Sequence, residues 1–235
     1  RRHNKFIMNE FSEDKLIEYL NDVHKATSDN RLIDASVRNS ILERAKNACK
    51  ITNLSYSDLL QRLDFKQNDL TIEALESFLA ELRSIFWLQD FGFTNIIPLQ
   101  AKKSSQQPDF IAKYKDKTCS VEVFCLTQAH EQQKDHSLNV YKNFDPQFNG
   151  SKLGRDFASK AKNKKEQLDS SSADMKILLC VVNSQPMIAL NTKEEWDGHA
   201  RLLCENLSWG NGYYVGILTG VKPNGVSSDT IFPKL

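Results

Sequence analysis

The chain has 235 residues, 40% of them hydrophobic and 26% charged, with 9 Gly and 6 Pro. This composition excludes disordered and fibrous classes and supplies enough chain for one large domain or two small ones. The formal net charge is +1, so the overall balance does not announce a nucleic-acid binder, and local clusters of charge carry the information instead.

The five cysteines, at 49, 119, 125, 180 and 204, are odd in number and form no CxxC pair. Cys119, Cys125 and Cys180 fall in apolar, strand-like runs, which predicts buried, reduced thiols and a cytoplasmic setting. Neither the Cys nor the His spacing offers a zinc set. No apolar run reaches membrane-spanning length and no signal-peptide pattern is present, so no membrane partner is expected.

The first seventy residues read as helical. Ser12 opens a run with Leu16, Ile17 and Leu20 at helical spacing, and 31–50 carries Leu32, Ile33, Val37, Ile41, Leu42 and Ala45 along one side. Ser55, three residues before Asp58, predicts a further helix start. These segments are expected to form an N-terminal helical region, 1–69, beside an α/β domain spanning 70–235. A longer helix, from about Leu70 to Asp90, has a broad apolar surface (Leu75, Phe78, Leu79, Leu82, Ile85, Phe86, Leu88) suited to lying on a sheet. Gly92 ends it, and Phe93 to Leu99 reads as a first strand.

The second strand starts at Asp109 or Phe110 and runs to Tyr114. Lys115-Asp116-Lys117 supplies a turn, and Thr118 to Leu126 is the third strand. Period-two reading puts Glu122, Phe124 and Leu126 on one face, with Cys119, Val121, Val123 and Cys125 on the other. Thr127 to Gly154 is irregular and polar, long for a connection, and contains His130 and His136. A lysine-rich helix is predicted over 155–169, then the strongest strand signal, Met175 to Asn183 (MKILLCVVN). A weak strand at 187–190, a helix from about Lys193 to Leu207, a strand at 213–218 and an edge piece at 231–235 complete the order. The expectation is an α/β fold with a mixed central sheet covered by helices on both sides.

Two acids stand out. Asp109 sits at the mouth of the second strand, and Glu122 stands between Val121 and Val123 inside the third. A carboxylate in mid-strand is costly to bury unless it meets a cation, a metal or hydrogen-bond donors. Acids on adjacent strands can meet at one edge of a sheet and bind a hard divalent cation, Mg²⁺ or Mn²⁺, able to orient a phosphodiester and stabilise charge on its oxygens. The structural alternative is a turn Asp after Pro108 and a Glu paired with a nearby Lys.

The order of elements over roughly Glu73 to Asn183 resembles the PD-(D/E)XK nuclease superfamily, the restriction-endonuclease-like fold. The likeness rests on Pro108-Asp109-Phe110 opening one strand and Val121-Glu122-Val123-Phe124 in the next. It rests also on a glutamate-bearing helix before them and a basic helix ending Lys164-Lys165-Glu166-Gln167-Leu168 after them. The resemblance implies that Asp109 and Glu122 hold the metal, joined by a helix glutamate, for which Glu81 fits better than Glu73 or Glu76. It also implies a role near the site for Gln167, although the tyrosine that follows it in RecB-like members is absent. One departure matters: the family's lysine, two residues after the strand Glu, is replaced here by Phe124. Either the lysine has moved, with Lys160 or Lys164 the leading candidates and Lys113 a weaker one, or the site binds without cutting.

From Lys152 to Lys165 there are six Lys or Arg against one Asp. Lys152, Arg155, Lys160, Lys162 and Lys165 are therefore candidate phosphate contacts, with a solvated helix face as the alternative. His199 and the three tryptophans are expected to be structural. The functional expectation is a divalent-metal-dependent endonuclease acting on DNA, with Glu81, Asp109, Glu122, Lys164 and Gln167 at its site. The alternative is a degenerate nuclease-fold protein that binds nucleic acid or a protein partner. A homodimer is compatible with either.

Overall fold

The computed structural model describes residues 12–27, 32–63, 65–100, 106–126, 161, 163–182, 192–220 and 229–235. The helices are α1 (Glu13–Thr27), α2 (Ala35–Thr52), α3 (Tyr56–Arg62), α4 (Ile72–Asp90), α5 (helical at 161 and over 163–169) and α6 (Lys193–Leu207). The strands are β1 (Thr94–Pro98), β2 (Phe110–Tyr114), β3 (Lys117–Leu126), β4 (Met175–Val182), β5 (Tyr213–Leu218) and β6 (Thr230–Phe232).

Caps set most of the helix limits. Asp34 accepts from the Ser36 N–H at 2.7 Å, so α2 begins at Ala35 rather than Arg31. Ser55 and Thr71 cap α3 and α4 by accepting from the backbone three residues on. Thr192 and Glu195 cap α6 reciprocally. Gly92, at φ +83°, turns the chain out of α4 in the left-handed region.

The six strands form one sheet in the order β1-β2-β3-β4-β5-β6. The first three make an antiparallel meander; β3, β4 and β5 run parallel, and β6 returns antiparallel on the far edge. Lys115, at φ 54°, tightens the β2–β3 turn, so β3 starts one residue earlier than the sequence suggests. At the start of the parallel pair, the Asp174 carboxylate accepts both the N–H and the hydroxyl of Thr118 at 2.9 Å.

Each face of the sheet has its own core. Cys119, Val121 and Val123 of β3 and Ile177, Leu179 and Val181 of β4 join α4 and the N-terminal helices in one buried cluster. That cluster runs without a break from Leu16 and Leu20 through Tyr19, Phe65 and Phe78, whose rings meet edge-on. On the other face, Phe124, Leu178, Cys180, Val215 and Ile217 pack beneath Ala161 and Leu168 of α5 and Trp196, Ala200 and Leu203 of α6. Gly216 is small because Trp87 lies over it: a Cβ there would stand 2.8 Å from the indole ring and 2.9 Å from Leu179. The result is an α/β fold with a mixed central sheet flanked by helices and an N-terminal helical region. The weak strand at 187–190, the irregular stretch 127–154 and the first part of the basic helix lie outside the described residues.

Candidate functional site

The site begins with the pairing of β2 and β3. Phe110 pairs with Val121 in antiparallel register, and one further step places Asp109 opposite Glu122. The Asp109 carboxylate accepts the Val123 N–H at 2.7 Å, while its backbone carbonyl accepts the Leu99 N–H at 2.8 Å. Asp109 is thus held from both sides, its carboxylate fixed against the backbone just beyond Glu122.

Glu122 is fully buried on the face covered by α5 and α6, beside Leu178 of β4. One oxygen, Oε1, is in direct contact with the ammonium of Lys164. The other, Oε2, is buried with no hydrogen-bond partner among the described residues. Burial, reinforced by the Asp109 charge, pushes the Glu122 carboxyl up to about 8 against the pull of Lys164. Asp109 lies close enough to Glu122 for the two carboxyls to share a proton; fully ionised, they present two acceptors and no donor. The raised titration therefore belongs to the pair.

Lys164 reaches this pair because of its place on α5. Ala161 and Leu168, both buried, fall at i and i+7 of the sheet-facing stripe, and Lys164 at i+3 lies on the same stripe. Burial pulls the Lys164 ammonium down, but the charges of Glu122 and Asp109 outweigh it and hold the pKa above the usual lysine range. These directions agree with the raised carboxyl, since two carboxyls holding one proton still present one negative charge to the lysine. Glu81 also acts on Lys164 through its charge. It stands on α4 and lines a cavity of about 240 Å³ with Lys66, Asp69, Glu73 and Ser77. Glu76, the alternative helix acid, is buried and acts through its charge on Arg83.

Phe124, where the resemblance calls for a lysine, is packed in the core under α5 and α6. A cation approaches the carboxylates from the helix above instead of from the strand. Gln167 donates weakly to the Gln107 carbonyl at 3.5 Å, and Gln106 donates to Glu166 at 2.7 Å. Together they tie the segment leading into Asp109 to the helix carrying Lys164. The resemblance puts Gln167 near the site, but the Gln106–Glu166 and Gln167–Gln107 pairings are not legible in the sequence. Their partners are sixty positions apart, and only the glutamines beside Pro108-Asp109 hint at them.

Lys165 faces away from Glu122 into a different network. It bonds Asp169 at 2.5 Å and the Tyr213 hydroxyl at 3.2 Å, and Lys176 reaches Asp169 at 2.7 Å. Burial alone would raise the Asp169 carboxyl, but its bonds from Lys165, Lys176 and Tyr213 hold it well below the usual range. Lys152, Arg155, Lys160 and Lys162 lie outside the described residues, as do His130 and His136. His199 packs edge-on against Trp196, and burial lowers its pKa, as for a structural histidine.

Among the described residues, no three His, Cys, Asp or Glu side chains are placed to hold a metal ion as a group. The fit to a divalent cation rests on two carboxylates, Asp109 and Glu122. The buried Glu122 Oε2, without a hydrogen-bond partner among the described residues, is a feature that a bound cation would relieve, so these residues fit such an ion. No described helix is long and apolar enough to cross a membrane. No family model and no curated protein matches the sequence.

Proposed function

We propose that the chain is a divalent-metal-dependent endonuclease that hydrolyses DNA phosphodiester bonds, built on a restriction-endonuclease-like core. The observation that carries this reading is the fully buried Glu122, with one oxygen unpartnered beside Asp109 and the other under the ammonium of Lys164. Support for the core comes from the α4–meander–α5–β4 order around these residues.

In this reading Asp109 and Glu122 would hold a Mg²⁺ or Mn²⁺ ion. When bound, such an ion would supply positive charge against the negative charge that builds on a phosphate oxygen. Asp109 is kept in place by the Val123 N–H and needs little reorganisation to bind. Lys164 keeps its proton and can donate to a non-bridging phosphate oxygen, the task the strand lysine performs in the family. Hydrolysis adds water across a P–O bond and leaves a phosphate monoester and a hydroxyl end. The Glu81 charge also acts on Lys164, and the Gln106–Glu166 bond links the segment before Asp109 to the helix that carries Lys164.

The test is plasmid nicking with Mg²⁺ and Mn²⁺ by the wild type, Asp109→Ala, Glu122→Gln and Lys164→Met. Loss of nicking in all three variants is expected; undiminished nicking in the Asp109 and Glu122 variants would end the reading. A second reading, a nuclease-fold protein that binds DNA without cutting, is favoured by the burial of Phe124 at the family's lysine position. It predicts DNA retention that is indifferent to EDTA and falls steeply with salt.

A further inference from the structure

We infer that Lys164 is a built-in competitor for the cation, so that the ammonium and a divalent ion exchange on Glu122. The inference rests on reading Asp109 and Glu122 as the cation site. It concerns how that site is filled.

Three observations lead to it. First, the Lys164 ammonium already sits on Glu122 Oε1, one of the oxygens an incoming ion would need, while Oε2 has no partner among the described residues. A divalent ion drawn to the pair would meet a resident positive charge at close range. Second, the two partners differ in mobility of access: the Glu122 side chain is 0% exposed, whereas that of Lys164 is 27% exposed. The carboxylate cannot leave, but the ammonium, on a flexible four-carbon stem, has a way out toward solvent. Third, Glu122 is not the sole acid whose charge acts on Lys164, since Asp109 and, more weakly, Glu81 act on it as well. Leaving Glu122 does not strand the ammonium away from all negative charge.

The consequence follows from linkage. If the ion and the ammonium favour the same carboxylate, each weakens the other by the same factor. Without the ion, Lys164 occupies the Glu122 oxygen and balances the negative charge that the pair retains. With the ion in place, the ammonium is released toward solvent, to which its side chain is already partly exposed. One side chain thus occupies the carboxylate when the ion is absent and is freed from it when the ion is present.

The experiment measures Mn²⁺ binding by calorimetry, without DNA, to the wild type, Lys164→Met, Lys164→Arg and Glu122→Gln. Lys164→Met should bind Mn²⁺ at least about fivefold more tightly, the low end of a typical coupling. Lys164→Arg, which keeps the charge, should bind no more tightly than the wild type, and Glu122→Gln should lose binding. In parallel, amine-reactive labelling of wild-type Lys164, read by mass spectrometry, should rise on saturation with Mg²⁺. Equal or weaker Mn²⁺ binding by Lys164→Met, or labelling of Lys164 that does not change with Mg²⁺, overturns the exchange. Those results leave the cation site itself standing if the wild type still binds Mn²⁺ and Glu122→Gln does not. Absence of Mn²⁺ binding by every form overturns both. The labelling arm uses the wild type, so it decides even if a variant folds poorly.

Discussion

Replacing Glu122 with glutamine keeps the shape of the side chain and removes its charge. Because burial and Asp109 raise the folded-state carboxyl from 4.5 to about 8, the folded chain binds a proton that the unfolded chain has lost across that interval. The sign follows directly: a folded state that binds more protons loses stability as pH rises. This contribution of the Glu122–Asp109 pair is intact below the unfolded value and declines through the window from 4.5 to about 8. At about 1.4 kcal/mol per unit, the ionised carboxyl costs the metal-free fold roughly 3 kcal/mol at neutral pH, and roughly 5 kcal/mol at most above the folded value. Glu122→Gln should therefore be more stable than the wild type by roughly 3 kcal/mol at neutral pH and equal to it in mild acid. In urea the difference is a midpoint shift on the order of 1–2 M. The assay is urea unfolding in EDTA at several pH values between 5 and 8, followed by tryptophan fluorescence. Excess Mg²⁺ should raise the wild-type midpoint and leave the variant unmoved. Parallel pH profiles for the two proteins, or a variant less stable at neutral pH, would refute the reasoning.

Three further outcomes are expected. Gly216→Ala places a methyl group 2.8 Å from Trp87, and the overpacking should cost about 1–3 kcal/mol in thermal or urea unfolding. Asp169→Asn removes the acceptor shared by Lys165, Lys176 and Tyr213. Since the folded Asp169 carboxyl is depressed, its contribution is present above the unfolded value and lost as pH falls. The variant should be the less stable protein at neutral pH and match the wild type in strong acid, as unfolding at the two pH values will report. Glu166→Ala releases Gln106 and should speed amide exchange at Gln106, Gln107 and Asp109, with stability changed by no more than about 0.5 kcal/mol.

Much of this architecture could be read from the residues. Alternation in β3 assigned Val121 and Val123 to one face and Glu122 and Phe124 to the other, and the two cores divide along that line. The limits of α6 and β5 follow from the Thr192–Glu195 box and from Gly210 and Gly212, which take up positive φ. The meeting of Asp109 with Glu122 was legible because a tight turn fixes hairpin register. What the residues withheld were the distant contacts. Lys164 sits in the apolar stripe of Ala161 and Leu168, a local signal, but which strand that stripe covers depends on the crossover from β3 to β4. Glu81 is placed by the resemblance and by its spacing from Gly92 along α4, which gives a position in the chain without a distance to Lys164. The Gln106–Glu166 clasp and the Asp169 network join surfaces whose residues are ordinary in their own neighbourhoods.

The side chain of Asp174, bonded twice to Thr118, has an influence that reaches well past the strand ends it joins. Parallel neighbours have no hairpin to align them, so something must mark where both begin. Were β3 to slide by a single position, every side chain along it would change sides, and Glu122 would point into the hydrocarbon beneath α4. A carboxylate far from the acids thereby acts as the zero mark of a ruler, and the placing of charge at one end of the sheet is settled by how its threads are tied at the other.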